Sequence, residues 1–309
     1  MAAFCHRLQD QALALFATLI LALALVGGGI ASASDETPFG RGILWKVERD
    51  GGPSSHLFGT VHATDPRLRD LPEQVRRPFV EARAVVFELP SDPQGQARMA
   101  QAMVRRDGRR LGDVLGPELF ARVSEAAARY GLAPQALQPL KPWALSSFLI
   151  FPPPELARIA GGEKVLDEWL RSEAQRRGKA VHGLESFDEQ IAVFSEMTEP
   201  EQIAMVRDLL ADNADIDTHF ADLLNAYLRS DIGRLLAEMN DVSGVSDVAA
   251  ARRFQARLID QRNVRMAARM EPFLARGGAF VAIGAAHLPG ETGVLGLLQE
   301  QGYRVTRVY

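Results

Sequence analysis

Cysteine is almost absent from this 309-residue chain: Cys5 is the only one. It precedes the apolar run Ala12 to Val26, so a chain cleaved after that run would hold no thiol. Disulfides, thiolate metal ligands and a cysteine nucleophile are then excluded, and an oxidising compartment would leave the protein unaffected. Aromatic residues are sparse, at 7%. An excess of one charge is missing as well: 35 basic residues face 39 acidic ones, for a net charge of −4. No block of like charge points to nucleic acid. The cluster Arg105, Arg106, Arg109 and Arg110 is interrupted by Asp107 and Gly108 and reads as a solvated face. No repeat of fixed period is present. Neither a Gly-x-Ser-x-Gly elbow nor a Walker-type phosphate loop occurs, so serine-hydrolase and P-loop chemistry have no support.

What is present begins at the N-terminus. His6 and Arg7 precede the apolar run, three glycines follow it, and Ala31-Ser32-Ala33 then leads into the polar Ser34-Asp35-Glu36. This is the order of a secretory signal with its cleavage site, assigned to residues 1–33. The protein is therefore expected to be exported, periplasmic or secreted. The alternative is an uncleaved anchor, since the run with its glycines approaches the ~20 residues that span a bilayer. No second run reaches that length, so no further membrane contact is expected. The composition, 47% hydrophobic and 24% charged, is that of a globular protein able to bury a sizeable core.

Strand-like runs gather towards both ends of the chain. Ile43 to Glu48 and His56 to Thr60 flank the turn Asp50-Gly51-Gly52-Pro53 and predict a hairpin. Ala84 to Leu89 and Ala279 to Ile283 are nearly continuous apolar runs, the mark of strands buried on both faces. Lys179 to Leu184 is a weaker strand, and Tyr303 to Tyr309 alternates as a final one. Between them, Pro117 to Tyr130, Glu163 to Arg177, Glu199 to Leu210, Thr218 to Leu228 and Val248 to Phe273 carry apolar residues at helical spacing. Pro152-Pro153-Pro154 breaks any helix arriving from Trp143 to Phe151. The expected fold is α/β: one domain over residues 34–309, with a central mixed sheet built from N- and C-terminal strands. A large helical insertion, about residues 91–275, packs on that sheet.

Four polar residues share a placement at the ends of these strands. His62 closes Gly59-Thr60-Val61-His62 and His287 closes Gly284-Ala285-Ala286-His287, each after an apolar strand. Glu88 lies at the end of its run, and Glu185 follows Gly183-Leu184. Ligands of open α/β sheets bind beyond the carboxyl ends of strands, so two histidines and two carboxylates there form a metal cage or an acid/base cluster. Each also has a plainer reading. A histidine after a strand is commonly a hydrogen-bonded turn residue. Glu88, in an apolar run, needs an arginine, a metal or a proton to offset burial. Glu185 could cap the helix starting near Phe187. His56 and His182 lie within strands and read as packed residues, and His219 is helical.

At these residues the sequence resembles the TraB/GumN family, which is related to the Tiki metalloproteases. The resemblance runs through Leu57-Phe58-Gly59-Thr60-Val61-His62, Leu71-Pro72-Glu73, Val85-Val86-Phe87-Glu88, Lys141-Pro142-Trp143 and Gly183-Leu184-Glu185 with Glu189-Gln190. It continues in Arg262-Asn263 with Met266, and in Gly284-Ala285-Ala286-His287-Leu288-Pro289-Gly290 and the glycine, leucine and tyrosine positions after it. It covers about Ile43 to Tyr309. It implies a single α/β hydrolase domain with a divalent-metal site. By that resemblance His62 and His287 would be metal ligands or general bases, Glu88 and Glu185 ligand and acid/base, and Arg262 or Asn263 transition-state or supporting groups. The ion would be manganese, zinc or iron, which imidazole and carboxylate donors suit, and the substrate a peptide or protein. Two alternatives stay open: a metal-free histidine/glutamate esterase, and a non-catalytic exported protein that binds a ligand in the same cleft. Nothing in the sequence fixes an oligomeric state.

Overall fold

The computed structural model describes residues 37–49 and 51–309. The signal expected over residues 1–33 lies outside the described residues. Among those described, six strands form one mixed sheet: β1 (Leu44–Glu48), β2 (Ser55–Thr60), β3 (Ala84–Phe87), β4 (Ala180–Gly183), β5 (Ala279–Gly284) and β6 (Arg304–Arg307). Their order is β4-β3-β5-β2-β1-β6. β1 and β2 are the expected hairpin, with Lys46 opposite His56. β5 runs parallel to both β2 and β3, with Ala282 level with Phe58 on one side and Phe87 on the other. β4 is parallel to β3, and β6 pairs antiparallel with β1. The architecture is therefore α/β, and the sheet joins strands from opposite ends of the chain.

Burial follows position in the sheet. All six residues of β5 are buried, as a strand covered on both faces requires. β4 alternates between exposed and half-buried residues, and β6 is exposed apart from the half-buried Val305, as edge strands are. Phe280 of β5 meets Phe58 of β2 at 5.7 Å between ring centres, and Phe79 at 5.3 Å. Phe79 comes from α1 (Glu73–Glu81).

The helices that position the site follow from their own sequences. α2 (Leu166–Arg176) buries Leu166, Asp167, Leu170, Arg171 and Ala174, a stripe at helical spacing with two charged members. α3 (Phe187–Ser195) starts at a capping box in which Ser186 and Glu189 satisfy each other's backbone amides. That cap is Ser186, not Glu185. The region read as one helix from Val248 to Phe273 is α4 (Val248–Gln255), a π-helical turn (Ala256–Asp260) and α5 (Gln261–Arg276). Pro153 and Pro154 do not only end a helix. They open the next one, Pro153–Ala160, where their missing amides cost nothing. Within 91–275 the named elements are helices apart from β4 at the sheet edge. Among the described residues no helix is long and apolar enough to cross a membrane.

Candidate functional site

The four parallel strands β2, β3, β4 and β5 all end on the same edge of the sheet. His62 follows β2 by two residues, Glu88 directly follows β3, Glu185 follows β4 by two, and His287 closes the single turn Ala285–His287 after β5. All four are buried, His287 completely. The edge is made tight by Gly59, where a Cβ would come within 2.9 Å of Leu288 and 3.1 Å of the Ala285 backbone. A glycine there lets β2 run close beside the turn that carries His287.

Each histidine is held through Nδ1. The His62 Nδ1 lies 2.8 Å from Asp167 Oδ2, while Thr60 Oγ1 donates to Asp167 Oδ1 at 2.5 Å. A carboxylate only accepts, so the His62 Nδ1 carries the proton and Nε2 keeps its lone pair when the ring is neutral. Backbone pairing brings Asp167 here: the Leu166 amide donates to Ala63 O at 3.2 Å. The Thr64 amide, next along, donates to the buried Glu155 at 2.6 Å. The His287 Nδ1 lies 2.7 Å from Asn263 Oδ1. Asn263 Nδ2 donates to Thr292 O at 2.9 Å, which leaves its oxygen as the acceptor facing the ring. The proton of His287 is thus on Nδ1. Its Nε2 is buried, has no hydrogen-bond partner and stands 3.9 Å from Glu88 Oε1.

Surroundings drive the two rings apart electrically. Burial would lower the pKa of His62, but the charge and hydrogen bond of Asp167, with help from Glu88 and Glu168, raise it. Burial and the Arg262 charge hold His287 at about 3, despite the opposing pull of Glu88.

Arg262 stands between the two glutamates. Its Nη2 donates to Glu88 Oε2 at 2.6 Å and its Nε to Glu185 Oε2 at 2.8 Å. Glu88 Oε1 accepts from the Gly284 amide at 2.7 Å. Burial would raise the Glu88 pKa, yet the charges of Arg262, His287 and His62 and that amide hold it at about 2. Both oxygens of Glu185 face a guanidinium, because Arg265 Nη1 binds its Oε1 at 2.8 Å. Arg262, Arg265 and Arg269 follow helical spacing along α5, and Arg269 fastens Glu189 and Leu184 O.

The structure therefore brings His62, His287, Glu88, Glu185, Arg262 and Asn263 together. His182 instead packs on Phe273, at 5.0 Å between ring centres. His56 is half-buried within β2. Sequence reasoning missed Asp167, Thr60, Arg265 and Thr292. Asp167 had a legible signal, an acid on the apolar stripe Leu166, Leu170, Ala174. Arg265 lies at helical spacing from Arg262 and Thr60 within the Gly-x-x-His motif, while Thr292 had no signal.

Among the two histidines and two glutamates, the donor atoms without a guanidinium partner are Nε2 of His62, Nε2 of His287 and Glu88 Oε1. Among the described residues no group of three or more His, Cys, Asp or Glu side chains stands close enough to hold an ion as placed. The chemistry of the set nevertheless fits a divalent cation. Two imidazoles have the other nitrogen pinned by a carboxylate or an amide, as ligating histidines do, and His287 has a buried nitrogen with nothing to bind.

The sequence matches the model of the TraB/PrgY/gumN family over residues 43–307. Among curated proteins it is similar to the Metalloprotease TIKI1 of Danio rerio, 26% identical over 85% of this chain and 62% of that protein. The Metalloprotease TIKI1 of Homo sapiens is 25% identical over 85% of this chain and 61% of its own length. A Metalloprotease TIKI homolog of Nematostella vectensis is 22% identical over 90% and 70%. The chain spans about three fifths of the length of the first two. No solved structure matches.

Proposed function

The chain belongs to the TraB/PrgY/gumN family, and from that premise we propose that it is an exported, divalent-metal-dependent hydrolase acting on peptide bonds. The observation that carries this reading is the His287 Nε2: a buried nitrogen with its lone pair free and its ring fixed by Asn263. Evolution seldom leaves a buried polar atom unsatisfied without a use for it. His62 Nε2, His287 Nε2 and Glu88 Oε1 would hold the ion. When bound, it would activate a water and polarise the scissile carbonyl.

The remaining steps belong to the chain's own side chains. Asp167 and Asn263 orient the imidazoles and fix their tautomers. Arg262 keeps Glu88 ionised at every working pH, so Glu88 presents an anion. Glu185 has both oxygens occupied by guanidinium groups and serves as the counter-charge that aims Arg262. Export rests on the signal pattern of residues 1–33 and is checked by the N-terminus of the mature protein.

The test is elemental analysis of the purified protein and of a His62→Ala/His287→Ala double variant. A stoichiometric ion lost in the double variant supports the reading. A protein that takes up no manganese, zinc or iron after reloading sinks it. A second reading has its own support. Arg262 and Arg265 already neutralise Glu88 and Glu185, so the cluster is balanced without a cation. A metal-free esterase, or a binding protein using the same cleft, fits that balance, and a demonstrated activity insensitive to chelators would select the esterase.

A further inference from the structure

Next to this site, on the helical side, lies a groove that the proposed chemistry does not use. It is formed by helix Glu199–Asp212, helix Ile232–Asn240, the loop after it, and α4. Its floor is apolar and rich in methionine: Met197, Met205, Met239, Phe254 and Leu258. Methionine side chains are flexible and polarisable and adapt to varied apolar partners. Its rim carries Glu201, Asp208, Glu238, Asp241 and Asp247, and no lysine or arginine lines it. Arg253 engages Glu201 and Arg234 engages Glu238. Asp208, Asp241 and Asp247 bind only backbone amides, of Ser246, Ser243 and Ala250. Among the described residues no cation stands within ion-pair distance of these three.

We propose that this groove binds a peptide segment in which apolar residues alternate with lysine or arginine. The apolar side chains would enter among the methionines, and the cations would pair with Asp208 and Asp241 at the rim. Charge complementarity selects this occupant. An acidic rim repels an acidic peptide and raises the encounter rate of a basic one. The groove also adjoins the site. Leu258 lines it, and the Leu258 carbonyl accepts from Arg262 Nη1 at 3.4 Å. Met197, Met239, Phe254 and Leu258 pack in one cluster with Ala286, the residue before His287. Binding stands on the groove alone, whereas its use as a substrate subsite rests on the peptidase reading.

The experiment measures fluorescence anisotropy of a short labelled peptide alternating leucine and lysine, against a leucine and glutamate counterpart. The purified protein should bind the first, weaken as salt rises, and ignore the second. Ala251→Trp should fill the groove and abolish binding, and Asp208→Asn/Asp241→Asn should weaken it roughly tenfold. His287→Ala should leave binding intact, which separates failure of this inference from failure of the metal site. Equal binding of the acidic peptide overturns the proposal. So does undiminished binding by the double aspartate variant, even if the tryptophan variant does not fold.

Discussion

Arg262 is the residue on which the buried charges balance. Replacing it with alanine leaves Glu88 without its cation, while Arg265 still covers one oxygen of Glu185. Uncovering a buried carboxylate costs about 3–5 kcal/mol, which a shift in the urea midpoint would read. Arg262→Lys should recover little, because a single ammonium nitrogen on a flexible stem does not reproduce the rigidly spaced Nε and Nη2 donors that meet the two carboxylates. Asp167→Asn is milder. It keeps a partner for His62 but not a carboxylate, and a metal-bound protein should lose about 10–100-fold in ion affinity. The histidines also set opposite pH dependences on the metal-free protein. His287 is held at about 3, so from its ordinary 6.5 down to 3 the unfolded chain takes up a proton that the folded one refuses. Stability falls across that window as pH drops. Glu88, at about 2 against 4.5, adds to the loss below pH 4.5. His62 is raised, so its contribution is present below 6.5 and fades as pH climbs through the folded value. Thermal melts from pH 6.5 to 4 should show the acid loss, and His287→Gln should flatten it. An unchanged slope in that variant would show that His287 is not what refuses the proton. The sequence showed Glu88 as needing a partner, because a carboxylate in an apolar run carries its own debt. It could not say that Arg262 is that partner, since the two residues meet only through the tertiary fold.

At the scale of elements, β3 and β5 were legible because a strand buried on both faces leaves a nearly continuous apolar run, and β1 and β2 because a glycine-rich turn separates them. The edge strands β4 and β6 were weaker for the same reason, since one face is wet. What stayed hidden is the π-turn Ala256–Asp260. Apolar residues recur at three- and four-residue spacing on both sides of it, so the pattern from Val248 onwards reads as one helix. A π-turn admits one extra residue and shifts the helical phase, and here it lies directly before Arg262 and Asn263. Such turns are frequent at functional sites, and the placement of both residues depends on it. The β2 end depends on Gly59 in a similar way. Gly59→Ala would set a methyl against Ala285 backbone and Leu288, and backbone cannot yield as a side-chain tip does. The variant should lose about 1–3 kcal/mol and, by widening the gap between the strand and the turn that carry the histidines, weaken the ion as well. Calorimetry and metal titration on one sample would check both. Loss of stability with unchanged ion affinity would show that the histidine spacing does not depend on this contact.

At the scale of the whole molecule, the site lies where the two ends of the described chain meet. β1 and β2 come early and β5 and β6 late, and β6 closes the sheet against β1, with Ile43 and Leu44 donating to Tyr309 O at 2.7 and 3.0 Å. An ion shared by His62, His287 and Glu88 would join β2, β5 and β3 in a single ligand set. Unfolding would scatter these donors across the chain, so the ion would bind the folded state alone. Binding of that kind stabilises by mass action, about 2.7 kcal/mol at a hundred times the dissociation constant. For a domain of this size that corresponds to a rise in Tm of roughly 5 °C. The rise should grow with the logarithm of ion concentration, vanish on chelation, and be absent from His287→Ala. It should survive Ala251→Trp, whose groove lies on the helical side. A cation that raised Tm equally in the wild type and in His287→Ala would be binding elsewhere on an acidic surface, and the strand-end site would then owe its balance to Arg262 and Arg265.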